Sequence, residues 1–413
     1  MQMEQMLQIR KEKGQQIASA GKVRFVNNRW LVPSQTHGNK YYIVVLKIDK
    51  SDCNCPDFTE RDVKCKHIFA VEITITKTVA FNDSVSVTET KRITYPQNWE
   101  KYNKSQTSEL KLFDELLKEL LEEIDEPTYK FGRPTLPLRE QIFCSIIKVS
   151  SQLSSRRASM LHNYALERGF IQHKPHFNVV SKLLNRSELT PILYDMINIT
   201  SMPLKAIETD FAVDSSGFGT IRLGDYIKTK YRIEKSRLWL KAHVCCGVKT
   251  NIITAVEIDG EYSGDNKKFI PLVQKTHDNG FAIKEVSADK AYSGRKNLAF
   301  VDSLNAMPFI PFKSNTSSKM QYPNAPRNYT WGKMYHYFMY NKEEFLTHYH
   351  KRSNVESTFS AIKRKFGDGL KSKNRTAQIN ELLCKLIAYN ITVLIREMQM
   401  LRIISDFTTP TSL

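Results

Sequence analysis

The stretch Tyr349-His350-Lys351-Arg352-Ser353-Asn354-Val355-Glu356-Ser357-Thr358-Phe359-Ser360-Ala361-Ile362-Lys363 constrains this chain more than any other. It holds neither Gly nor Pro, and Val355, Phe359, Ile362 and Phe366 recur at spacings of 4, 3 and 4. That period predicts a helix with one buried face. At about 100° per residue, Tyr349, Arg352, Glu356 and Lys363 fall within roughly a 60° arc beside the apolar stripe. One carboxylate is thereby held among a phenol and two cations at the rim of a core. A solvated helix face with an ordinary Arg352/Glu356 ion pair would carry the same residues, so the rest of the chain has to decide between the two.

At 413 residues the chain has room for two or three domains, each with its own core. Its 61 Lys+Arg against 43 Asp+Glu leave a net charge of +18, which favours a polyanionic partner through phosphate neutralisation and counterion release. No apolar run approaches the roughly 20 residues that span a bilayer, and Met1 to Arg29 is too polar for a secretory signal. A soluble, cytoplasmic protein without a membrane partner is expected. Of seven cysteines, Cys53, Cys55 and Cys65 cluster, while Cys144, Cys245, Cys246 and Cys384 lie in apolar surroundings. That suits a reducing compartment and one metal site better than a disulfide framework.

Residues 22–50 alternate apolar and polar around a Gly38-Asn39 turn and predict a small antiparallel sheet. The chain then reaches Cys53-Asn54-Cys55-Pro56 and, nine residues after Cys55, Cys65-Lys66-His67. Three thiolates and an imidazole form the closed tetrahedral set of one structural zinc. The C-x-C-x9-C-x-H order, with Phe58 after the first pair, resembles the SWIM zinc finger, whose usual role is binding nucleic acid or protein.

Residues 81–106 are polar and without period, and predict a linker. Leu110, Phe113, Leu117, Leu120 and Ile124 then mark an acidic amphipathic helix, for self-association or for packing within the chain. Ser154 is placed to cap a helix that stops at Gly169, and Pro175 precedes a shorter one from Phe177 to Leu184. Such a pair is compatible with a helix-turn-helix that would offer Arg156, Arg157, Asn178, Lys182 and Arg186 to DNA.

From Lys205 the pattern changes. Thr209 to Asp214 reads as a strand broken by Ser215-Ser216-Gly217, with Asp214 at its end, and strands follow at Leu238–Cys246 and Ile252–Ile258. Asp265 is placed to cap a helix, Ala282 to Ala288 is a strand ending at Asp289, and another helix and the strand Met307–Phe312 follow. Asp210 rivals Asp214, but four strand residues would move it roughly 13 Å from the site. Residues 313–342 read as a loop or small insert able to touch DNA, and Ile379 to Leu394 as a closing core helix after Gly367-Asp368-Gly369. His243 and His350 read as structural or DNA-facing.

The spacing Y-x2-R-x3-E-x6-K around Glu356 resembles the surroundings of the last acid in DDE transposases of prokaryotic insertion sequences. Asp214-Ser215-Ser216-Gly217 and Asp289-Lys290-Ala291-Tyr292 resemble those of the first two. The resemblance implies an α/β fold: an RNase H-like core with a mixed five-stranded sheet and flanking helices, preceded here by a helical DNA-binding region and the SWIM module. It implies two Mg²⁺ (or Mn²⁺) ions on Asp214, Asp289 and Glu356, with Tyr349, Arg352 and Lys363 on DNA phosphates. The expected partners are double-stranded DNA, as transposon ends and target, and a second copy of the chain when DNA is bound. The expected layout is a zinc module at 1–80, linker and acidic helix at 81–127, helical region at 128–204, catalytic domain at 205–400 and tail at 401–413. A DNA-binding derivative without catalysis, or a nuclease that never joins strands, are the competing expectations.

Overall fold

The computed structural model describes residues 2–26, 29–35, 40–45, 51–80, 98–128, 131, 135–220, 239–260, 264–313, 316, 329–401, 403 and 407. Its contacts divide the chain into two compact units, 1–89 and 90–413.

In the first unit, helix α1 (Gln2–Ser19) precedes four consecutive antiparallel strands, β1 (Arg24–Val26), β2 (Arg29–Pro33), β3 (Tyr41–Val45) and β4 (Asp52–Cys53). Helices α2 (Pro56–Arg61) and α3 (Lys66–Ala80) follow. The alternation over residues 22–50 thus gives the expected sheet, whose Gly38-Asn39 turn lies outside the described residues. The polarity of α1 hides it in the sequence. Gly14 lets it pack against α3, because a Cβ there would stand 2.6 Å from that of Phe69. Val32 and Val44 of the sheet bury themselves against Ile68, Ala70 and Val71 of α3.

The second unit opens with α4 (Trp99–Glu122), capped by Asn98, whose side chain accepts from the Lys101 amide at 3.1 Å. The expected linker at 81–106 is therefore corrected. Residues 81–97 lie outside the described residues, and 99–106 are already helical because the polar turn before them is a cap. Phe113, Leu117, Leu120 and Ile124 are buried within the unit, whereas Leu110 is 84% exposed. The apolar stripe is core, except for its first member.

Helices α5 (Leu138–Ser150), α6 (Ser155–Glu167), α7 (Phe177–Leu184) and α8 (Leu189–Ser201) come next. Ser154 caps α6 by accepting from the Arg157 amide, and α6 ends before Gly169, which has a φ of +73°.

The sheet is formed by β5 (Asp210–Gly219), β6 (Trp239–Gly247), β7 (Ile253–Gly260), β8 (Glu285–Ala288) and β9 (Met307–Phe309), in the order β7-β6-β5-β8-β9. The first three strands are antiparallel, and β8 and β9 run parallel to β5. Helices α9 (Phe269–Asp278) and α10 (Arg295–Ser303) supply the two crossovers. Helices α11 (Tyr329–Tyr340), α12 (Lys342–Tyr349), α13 (Ser353–Phe366) and α14 (Arg375–Leu401) complete the unit.

The two faces of the sheet are buried in two cores. Phe211, Val213, Cys245 and Ala255 pack with Phe269, Leu272 and Leu298, on the side of α9 and α10. Ala212, Leu240, Val244 and Cys246 pack with Val355, Phe359 and Ile362 of α13 and with Leu383 and Leu386 of α14. Helices α4 to α8 share that second core, so the helical region 128–204 packs as part of the sheet's own unit.

Three further expectations change. Strand β5 does not break at Ser215-Ser216-Gly217 but runs on to Gly219, because β6 pairs with it throughout. Asp265 does not cap a helix. It begins a 3-10 turn before α9 without a side-chain cap bond, and its carboxylate instead meets the sheet at Lys241 and Ser215 Oγ. In the supposed insert, residues 314–315 and 317–328 lie outside the described residues, and α11 and α12 occupy most of the rest. Among the described residues one helix, α14, is long and apolar enough by composition to cross a membrane. Its apolar window is 83% buried inside the protein, as a core helix requires.

Candidate active site and metal centre

Register and alternation bring two of the three expected acids together. Val213 and Ala288 are paired across β5 and β8, and both face the α9/α10 core. Asp214, the next residue on β5, therefore belongs to the opposite face, the one covered by α13, and Asp289 follows the end of β8, where it caps the 3-10 turn Lys290–Tyr292 by accepting from the Lys290 amide at 2.6 Å. That helix buries Val355, Phe359, Ile362 and Phe366 as their spacing predicts, leaving Glu356 half-exposed on its rim. The helix starts at Ser353. Tyr349 closes α12, and a 3-10 turn over His350–Arg352 joins the two.

Arg352 connects the acids. Its Nη1 donates to Asp214 Oδ2 at 2.7 Å and its Nη2 to Glu356 Oε1 at 2.6 Å, while its guanidinium lies 5.7 Å from the centre of the Tyr349 ring. The local ion pair of the bland reading is thus present. The bond to Asp214, 138 residues away, converts it into part of a site. Lys363 donates to Ser216 Oγ at 2.7 Å, further along the same strand. Burial pushes the Asp214 carboxyl up, against the Ser215 amide and Arg352, and the charges of Glu356 and Asp289 push it further. A recess of about 430 Å³ opens here, lined by Asp214, Ser216, Glu356, Phe359, Lys363 and Arg364.

A second pair of acids stands at the other end of the same two strands, where Asp210 is in register with Glu285. Lys351 donates to both, at 2.7 and 2.6 Å, and His348 Nδ1 lies 3.0 Å from Glu285. Consecutive cations of one turn thus pin it to both ends of the face, and Asp210 is already committed. Sequence reasoning missed Lys351 and Glu285, because only strand register pairs Glu285 with Asp210. It also misread Asp265, whose position before a helix mimics a cap.

His243 is buried on the α9/α10 side, with Nδ1 3.6 Å from Asp265, and burial lowers its pKa. That position agrees with a structural role. Arg156, Arg157, Asn178, Lys182 and Arg186 are exposed on or just after α6 and α7 and touch none of the three acids; the Arg156 guanidinium lies 5.4 Å over Phe177.

Three carboxylates without a thiol or imidazole form a donor set for a hard divalent cation. The repulsion among Asp214, Asp289 and Glu356 is what such a charge relieves, and in this structure Arg352 supplies a positive charge to two of them. The acids fit the expected metals.

In the N-terminal unit, Cys53, Cys55, Cys65 and His67 are all buried, with one ligand atom from each lying within 4.8 Å of the others. β4 delivers Cys53, the turn before α2 delivers Cys55, and the start of α3 delivers Cys65 and His67. His67 Nδ1 is 3.9 Å from Sγ of both Cys53 and Cys65, close to the roughly 3.6 Å edge of a tetrahedral zinc site. Hydrogen bonds from Cys53 and Cys55 pull the Cys65 thiol down, and the same crowding pushes Cys53 up. Four soft donors this close together fit zinc.

Residues 205–391 match the transposase DDE domain and residues 42–75 match the SWIM zinc finger. The resemblance read from the two motif sets is matched in both places: the chain is similar to the transposase DDE domain in its sheet unit and to the SWIM zinc finger in its N-terminal unit. It is similar to the probable transposase for insertion sequence element ISA1214 of Archaeoglobus fulgidus, at 24% identity over 196 residues, covering 47% of this chain and 56% of that protein. The chain thus spans about half the length of the curated relative it matches. No solved structure matches.

Proposed function

We propose that this chain is a transposase that cuts DNA at transposon ends and joins them to target DNA, on an RNase H-like core. The observation that supports the reading is that Asp214 and Asp289 directly follow the register pair Val213–Ala288, and that Arg352 ties Asp214 to Glu356 on α13. Asp214, Asp289 and Glu356 would hold two Mg²⁺ ions. When bound, such ions activate the attacking oxygen and stabilise the leaving one in a phosphodiester displacement. Water first attacks phosphorus at the transposon end, breaking the P–O3′ bond. The freed 3′-hydroxyl then attacks a target phosphodiester, whose own 3′-oxygen leaves.

The chain's cations position the strand. Arg352 exchanges its two carboxylates for strand phosphate, its planar fork suited to paired oxygens, and Tyr349 supports it. Lys363, beside Ser216, holds the next part of the backbone. Arg352→Ala is therefore expected to weaken binding of transposon-end duplex and Mg²⁺-dependent cleavage together by about 10- to 100-fold, the worth of a charged hydrogen-bond pair. Loss of stability with unchanged binding and cleavage would return Arg352 to a merely structural ion pair.

The net charge of +18 motivates a second expectation. If about six phosphates are neutralised, log K should fall with log salt at a slope near −5. A nearly flat titration of duplex binding would exclude phosphate contacts as the main source of affinity.

A further inference from the structure

Ten residues beyond Glu356, α13 ends at Phe366, and there a second recess of about 250 Å³ opens between α5, the end of β5 and the Gly367-Asp368-Gly369 turn. Three lysines line it: Lys148, Lys371 and Lys385. Lys385 is committed to the turn, donating to the carbonyls of Gly367 and Gly369 at 2.9 and 2.8 Å, and Lys371 donates to the Gln152 carbonyl. Glu381 also lines the recess, but its carboxylate is held by the amides of Lys371 and Ser372. Lys148 differs. It is only 8% exposed, and its ammonium makes no hydrogen bond or ion pair among the described residues. A lysine this buried and without a side-chain partner is a place for a counter-charge.

The backbone around the recess leaves space for one. A Cβ on Gly369 would meet nothing nearer than Gly219 O at 3.9 Å, although one on Gly367, whose φ is +79°, would stand 2.8 Å from Gln152 Oε1. Asp368 is the other acid at the recess, so three ammonium groups face two carboxylates. The single positive charge left over is the complement of one phosphodiester.

The recess and the one at the acids lie along the same helix, α13, which gives Lys363 and Arg364 to the one and its last residue, Phe366, to the other. Ten helical residues span about 15 Å. At about 3.4 Å of axial rise per phosphate, that is four or five phosphates along a duplex strand.

We propose that the Lys148 recess binds one backbone phosphate of the strand whose reacting phosphate lies at Asp214, Asp289 and Glu356. This rests on the reading of that site given above. The test scans a transposon-end duplex with single neutral methylphosphonates and measures binding of the full chain, of Lys148→Met, which keeps the stem without the charge, and of Lys148→Arg. Beyond the reacting phosphate, wild type should lose about tenfold at one position, four or five phosphates away. Lys148→Met should bind the unmodified duplex about tenfold more weakly, be indifferent to that methylphosphonate, and show a salt slope shallower by about 0.9. Lys148→Arg should restore both sensitivities.

A Lys148→Met chain that still loses affinity at that position as wild type does overturns the proposal, as does stabilisation by inorganic phosphate with no responsive position in the DNA. Should Lys148→Met fail to fold, the wild-type scan decides, and a profile flat outside the reacting phosphate overturns the assignment. Such a profile leaves the catalytic reading intact. A wild type indifferent at the reacting phosphate as well overturns both.

Discussion

Glu356→Gln is expected to bind transposon-end DNA at least as tightly as wild type while losing cleavage and joining by at least about a hundredfold. Glutamine keeps the size and hydrogen-bonding capacity of the side chain but removes a negative oxygen from the place where Asp214, Asp289 and Glu356 meet. Binding survives because a carboxylate repels phosphate unless a cation lies between them. The fold survives because Glu356 is half-exposed, and because the helix is held by Val355, Phe359 and Ile362 on its other side. The ion-pair reading predicts the reverse pattern: a slightly less stable chain that cuts DNA normally, since an exposed pair is worth less than about 1 kcal/mol. A Mg²⁺-dependent cleavage assay beside a binding assay separates the two. Near-normal cleavage by Glu356→Gln would take this residue out of the site and most of the case for a transposase with it.

Zinc removal is expected to unfold the N-terminal unit while the sheet unit keeps its structure. Besides the three cysteines, the core cluster of that unit holds, among the described residues, the buried Ile17, Val32, Val44, Ile68, Ala70 and Val71. A core this small is poorly able to offset chain entropy by itself. Structural zinc supplies about 10–16 kcal/mol of apparent binding free energy in finger peptides, so its loss should dominate any other single change here. Hydrogen exchange on the full chain, with and without a strong zinc chelator, should show residues 29–33 and 41–45 losing protection while 239–247 and 383–395 keep theirs. Cys65→Ser should reproduce the chelator's effect without it. Unchanged protection in the N-terminal strands would mean that the four side chains are simply buried, and that no metal holds the unit together.

Local pattern determined a good deal of this protein. A 4-3-4 apolar spacing specified which face of α13 is buried, the alternation over residues 22–50 specified a small sheet, and four soft ligands in 15 residues specified the metal cluster. These features are legible because each depends on the period of one element, or on ligands only a few residues apart. The order of strands and helices after residue 205 followed for the same reason, although the strand from Asp210 runs further than its Ser and Gly residues suggest, since a paired neighbour overrides local propensity.

Tertiary structure decided what these elements do to one another. Sequence spacing allows Arg352 to meet Glu356; only the packing of α13 across the sheet brings it to Asp214 as well. Only the register of β5 with β8 puts Asp210 beside Glu285, leaving that pair to Lys351, and sets Asp214 and Asp289 just past the paired Val213 and Ala288. Asp265 carried a cap's signature and became a partner of Lys241 on the sheet, and Lys148, one lysine among many in the sequence, became a buried charge facing a recess. In each case the deciding partner lies tens to hundreds of residues away. Side-chain charge is a property of the residue, but its neighbours, its burial and hence its chemistry are properties of the fold.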